Sequence, residues 1–120
     1  MLYKILVIDD DDICQTINKK ILKEYELKMF SNPIDGIKYY AENYIKIDLV
    51  ILNHVLPEMM GDVVYSVMKK INPRGKFIMT TAYAYSDLRD KMIDDGINGF
   101  IVKPFKKMDL LQTINDILKK

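Results

Sequence analysis

The chain has 120 residues, 49% of them hydrophobic, enough to bury one core and too few for two ordinary domains. Eighteen Lys and Arg against seventeen Asp and Glu leave a formal charge of +1, so no basic excess draws it to nucleic acid or to anionic membranes. One cysteine excludes an internal disulfide and no apolar run approaches the ~20 residues of a membrane span; the expectation is a single cytoplasmic domain, 1–120, without leader or output domain.

Ile5-Leu6-Val7-Ile8 is an unbroken, β-branched apolar run, the pattern of a strand covered on both faces. Ile13, Ile17, Ile21 and Leu22 then mark a helix, and Leu27 to Phe30 a shorter strand. Asn32-Pro33 with Asp35 opens a second helix, combining a capping side chain, a proline at the first helical position and an acid favoured by the helix dipole. Leu49-Val50-Ile51-Leu52 repeats the pattern of a central strand. Met60, Val63, Val64, Val67, Met68 and Ile71 follow one apolar face at three- and four-residue steps. Phe77 to Thr81 predicts a fourth strand, and Ser86 to Asp95, poor in apolar residues and ending at Gly96, an exposed helix. Phe100 to Val102 predicts a fifth strand, and Leu111, Ile114, Ile117 and Leu118 the last helix.

Alternating strands and helices joined by right-handed crossovers predict a doubly wound α/β fold, with helices on both faces of a five-stranded parallel sheet in the order 2-1-3-4-5. In that order the chain reverses direction between strands 1 and 3, and ligands bind beyond the carboxyl ends of the strands at such a switch point. Those ends are Ile8-Asp9-Asp10 and Leu52-Asn53.

Polar residues from four strands are directed to this rim: Asp9 and Asp10, Asn53, Thr81 and Lys103. Singly they have plain readings. Asp9 to Asp12 suit the start of a helix, Thr81 suits a strand end, and Lys103-Pro104 suits a turn. Two adjacent acids also suit Mg²⁺, which prefers oxygen ligands. With a hydroxyl and an ammonium facing them, they form the equipment for a phosphoryl group, whose transfer depends mainly on positioning and charge neutralisation.

The ordered set Ile5-Leu6-Val7-Ile8-Asp9-Asp10, Asp48-Leu49-Val50-Ile51-Leu52-Asn53 with Leu56-Pro57 and Gly61, Thr80-Thr81-Ala82, and Gly99-Phe100-Ile101-Val102-Lys103-Pro104-Phe105 resembles the receiver domain of two-component response regulators, over essentially the whole chain. The resemblance implies a CheY-like, flavodoxin-like fold and a role in phosphorelay signalling. It places Mg²⁺ on Asp9, Asp10, position 53 and the Val55 carbonyl. It makes position 53 the acceptor of a phosphoryl group from a histidine kinase or phosphotransfer protein, with Thr81 and Lys103 contacting the phosphoryl oxygens. Phe100 takes the place of an aromatic that rotates as the Thr moves. The face of helix 4, strand 5 and helix 5, here including Tyr85, Lys91, Phe100 and Lys106, would serve self-association or an effector.

The chain departs from that family at position 53, where an aspartate is expected and Asn53 stands. An amide oxygen is uncharged and its nitrogen lone pair is delocalised, so the usual acyl phosphate cannot form. One fewer negative charge should also weaken Mg²⁺ binding. Three explanations are open: an engineered Asp→Asn change in an ordinary receiver, a natural receiver-like interaction module that works without phosphorylation, or acceptance of the phosphoryl group by another acid such as Asp10. The presence of Asp9, Asp10, Thr81 and Lys103 favours the first. Val55 and Tyr83 flank the approach to the site, and His54 is expected to face solvent on an exposed loop. A flavin or dinucleotide protein of similar architecture would need a phosphate cradle after strand 1, where Asp9 to Asp12 would repel phosphate.

Overall fold

The structure, a computed structural model, describes residues 2–83 and 86–119. Among them the elements run β1 (Lys4–Ile8), α1 (Asp12–Ile21), β2 (Glu26–Phe30), α2 (Pro33–Asn43), a short 3-10 turn (Tyr44–Lys46), β3 (Leu49–Asn53), α3 (Gly61–Ile71), β4 (Phe77–Thr81), α4 (Ser86–Asp94), β5 (Gly99–Val102) and α5 (Lys107–Leu118). The strands form one parallel sheet in the order β2-β1-β3-β4-β5, as the alternation of elements predicts. No helix of the described residues is long and apolar enough to cross a membrane.

Side chains of a strand alternate between faces, and β1 divides accordingly. Leu6 and Ile8 join a core with Tyr40, Val64, Met68 and Met92 beneath α2, α3 and α4. Ile5 and Val7 join a second core with Leu22, Ile51, Leu110 and Ile114 beneath α1 and α5. Register pairs Ile8 with Leu52 and Asn53 with Thr80, so the carboxyl ends of β1, β3 and β4 are brought side by side.

Two helices differ from expectation. On α1, Ile13 is 71% and Ile17 45% exposed, while the buried positions are Asn18 and the following Leu22. The helix is rotated so that Cys14, Asn18 and Leu22, each one turn apart, form its inner stripe. On α4, Met92 is fully buried and Leu88 packs against the same core, so the helix is amphipathic rather than exposed on all sides. It ends as predicted near Gly96, whose φ of +91° lies where glycine is favoured.

Candidate functional site

The loop after β1 places the acids differently from one another. Asp11 caps α1, its Oδ1 accepting from the N–H groups of Ile13 at 2.8 Å and Cys14 at 3.2 Å. That releases Asp9 and Asp10 from capping. Asp10 is exposed, whereas Asp9 is 2% exposed. A buried carboxylate needs partners, and Asp9 has them. Its Oδ1 accepts from Asp11 N–H at 3.0 Å and its Oδ2 from the Lys103 ammonium at 2.9 Å, while its backbone carbonyl accepts from the Gln15 side chain at 2.6 Å.

Lys103 follows β5 and its peptide bond to Pro104 is cis. Its ammonium also lies 3.3 Å from Cys14 Sγ. Burial pulls its pKa down, but the hydrogen bond and attraction to Asp9, with a smaller contribution from Cys14, outweigh this and hold it above the ordinary 10.5.

Asn53 ends β3, and its Nδ2 donates to the Val55 carbonyl at 2.8 Å. The loop beyond is drawn in tightly: His54 N–H donates to the Thr80 carbonyl at 2.8 Å, and Gly61 N–H to the His54 carbonyl at 2.7 Å. Glu58, in the same loop, has a φ of 66°, an uncommon conformation for a residue with a side chain. His54 is half-buried, and its Nδ1 is buried without a hydrogen-bond partner among the described residues, which corrects the expectation that it faces solvent.

Asp10, Asn53, Val55 and Lys103 line one open cavity of about 380 Å³, together with Asp11, Cys14, Ala82 and Tyr83. Thr81 does not line it. It is buried at the end of β4, and its Oγ1 accepts from Tyr83 N–H at 3.1 Å. Phe100 is half-buried, packed against the core beneath α2, α3 and α4. Lys91 and Lys106 are exposed, Lys91 lying 3.9 Å from Asp62, and Tyr85 falls outside the described residues. Cys14 and Gln15, which sequence reasoning missed, sit about one turn beyond the acid pair, the spacing that carries α1 over the same strand ends.

The donor set suits Mg²⁺ in kind: the Asp9 and Asp10 carboxylates, the Asn53 amide oxygen and the Val55 carbonyl all offer oxygen. Among the described residues no group of three or more His, Cys, Asp or Glu is placed to hold a metal, so a cation here would rely on two carboxylates and neutral oxygens.

The family profile described as response regulator receiver domain matches residues 5–115. The chain is 31% identical to the chemotaxis protein CheY of Listeria monocytogenes, covering 97% of this chain and 98% of that protein. It is 28% identical to the CheY of Halobacterium salinarum, covering 98% of each. Among solved structures, a response regulator receiver domain protein from Clostridium thermocellum superposes with a TM-score of 0.93 at 29% identity, covering 98% of this chain and 95% of that one. A CheY-like receiver domain protein from Methanospirillum hungatei gives 0.88 at 30% identity, covering 99% and 95%. With the fold, the acid pair and the strand-end lysine in place, the chain belongs to the response regulator receiver domain family of two-component signalling.

Proposed function

We propose that this domain is a receiver in which phosphotransfer at position 53 is blocked, so that its signalling surface is held in one state. One observation carries this reading: the side chain where the family's phosphoacceptor belongs is an amide, and its Nδ2 donates one hydrogen bond to the Val55 carbonyl at 2.8 Å. It offers no anionic oxygen to attack phosphorus. Asp9 and Asp10 with Asn53 and Val55 are the residues that would hold Mg²⁺, as receiver domains do at this acidic site. When bound, the ion would neutralise charge on a phosphoryl group. Binding is weakened twice over: one carboxylate is missing, and Asp9 Oδ2 and the Val55 carbonyl already accept internal hydrogen bonds.

Lys103 and Thr81 are the groups that would contact phosphoryl oxygens, and Phe100 the aromatic coupled to Thr81. Receiver domains work with histidine kinases and phosphotransfer proteins, and this unit acts in the cytoplasm as a signalling domain without turnover chemistry of its own. Self-association or an effector would use the face of α4, β5 and α5. Neither nucleic acid nor membrane is a direct partner. The second reading, a natural interaction module that never uses phosphate, is favoured by the same Asn53–Val55 hydrogen bond, which ties this end of the loop without metal.

The test is transfer from a phosphorylated histidine-containing phosphotransfer protein. The unaltered chain is expected to take no label and Asn53→Asp to take it, whereas label on Asn53 or Asp10 of the unaltered chain would overturn the blocked receiver. Partner binding equal for the unaltered chain and phosphorylated Asn53→Asp would select the interaction module.

A further inference from the structure

On the α1 side of Lys103 lies a second cavity, of about 280 Å³, between α1 and the loop that follows β5. Its walls include the apolar side chains of Ile17, Pro104 and Phe105, and three polar groups meet in it: the Cys14 thiol, the Asn18 amide and the Lys103 ammonium. Asn18 is 6% exposed, and its side chain has no hydrogen-bond partner among the described residues. An amide that borders the cavity can exchange its water contacts for a ligand oxygen. The ammonium lies 3.3 Å from Cys14 Sγ, and of its three N–H donors one is used on Asp9 and one on the thiol.

We propose that this cavity binds small, largely apolar α,β-unsaturated carbonyl compounds and that Cys14 adds to them covalently. The apolar body rests on Ile17, Pro104 and Phe105, and the carbonyl oxygen accepts from the Asn18 amide or the remaining Lys103 N–H. In the step, a bond forms between Sγ and the β-carbon and the C=C π bond opens. Its electron pair moves through the enolate to the α-carbon, which takes up the proton lost by the thiol. Nothing leaves, and no oxidant is required. Lys103 also borders the acidic pocket, so an adduct at Cys14 would disturb the Lys103–Asp9 contact. The inference stands whether or not position 53 accepts phosphate.

Cys14 is the chain's one cysteine, so intact mass reports on it directly. With N-phenylmaleimide on the full chain, the labelling rate is expected to saturate as reagent rises, and the unreactive analogue N-phenylsuccinimide should slow it. Lys103→Met should lower the limiting rate several-fold, because the remaining ammonium N–H that can hold the developing enolate oxygen is gone, and Asn18→Leu should raise the concentration needed for half-saturation. In Cys14→Ser, N-phenylsuccinimide should shift the NMR signals of the Asn18 side-chain amide. A rate that rises linearly, equals that of free glutathione and is untouched by N-phenylsuccinimide would overturn the site, as would unshifted Asn18 signals.

Discussion

The Lys103 ammonium donates to Asp9 Oδ2 at 2.9 Å, tying the end of β5 to the end of β1 across a separation of 94 residues. Asp9 keeps 2% exposure, so its carboxylate depends on this contact and on Asp11 N–H. Removing the ammonium leaves a buried charge half-compensated. Because the lysine side chain retains some solvent contact, the cost falls below that of a fully buried pair: Lys103→Met is expected to lower unfolding free energy by about 1–3 kcal/mol. Adding Asp9→Asn should recover part of the loss. Urea unfolding checks this, and a Lys103→Met variant as stable as the unaltered chain would refute it.

Gly61 begins α3 against the loop that carries Asn53. A Cβ added there would lie 2.3 Å from the Asn53 carbonyl oxygen and 2.9 Å from His54 Cα, both backbone atoms that cannot swing aside. Gly61→Ala should therefore destabilise the fold by about 1–3 kcal/mol, the scale of overpacking, and move the NMR signals of the Asn53 side-chain amide. Unchanged stability with unmoved signals would contradict the close approach.

Alkaline pH should weaken the fold. Lys103 is held above 10.5 because its contacts with Asp9 and Cys14 outweigh desolvation, so its contribution is fully present below 10.5 and is lost as pH rises through the folded value. Tyr40 and Tyr65 are raised above 10.0, each chiefly by burial, with an Asn72 hydrogen bond opposing the shift in Tyr40 and Asp95 reinforcing it in Tyr65. Above pH 10 the unfolded chain loses tyrosine protons that the folded chain keeps, which acts in the same direction. Unfolding free energy measured from pH 8 upward should fall beyond about 10, and a rise would contradict these shifts.

Val55 and Tyr83 line the open cavity, and both are exposed. A phosphorylated Asn53→Asp variant should lose phosphate slowly because these side chains obstruct attacking water, and Tyr83→Ala in that background should speed the loss several-fold. A fast rate indifferent to Tyr83→Ala would remove them from that role.

The strands were legible because Ile5 to Ile8 and Leu49 to Leu52 are apolar on both faces, a pattern that burial between two helix layers imposes. Their order followed from strict alternation, and with it the meeting of Asp10, Asn53 and Lys103 around one cavity. The rotation of α1 was not legible: Ile13 and Ile17 keep helical spacing yet face outward, while Cys14 and Asn18 turn inward on the stripe that ends at Leu22, which is buried in the core with Ile5, Val7 and Leu110. That rotation hid the thiol beside Lys103. The half-buried setting of His54 and the Asn53–Val55 hydrogen bond depend on how tightly one loop is drawn against Gly61 and Thr80, and spacing along the chain carries no trace of it.

The central claim is that this pocket has receiver machinery around a side chain that cannot take phosphate. The most direct measurement is intact mass after incubation with acetyl phosphate and Mg²⁺, followed by mapping of any modified residue. The account predicts no change for the unaltered chain and a gain of one phosphoryl group on residue 53 of Asn53→Asp. A stable phosphoryl adduct on the unaltered chain, at Asp10 or anywhere else in the pocket, would contradict it.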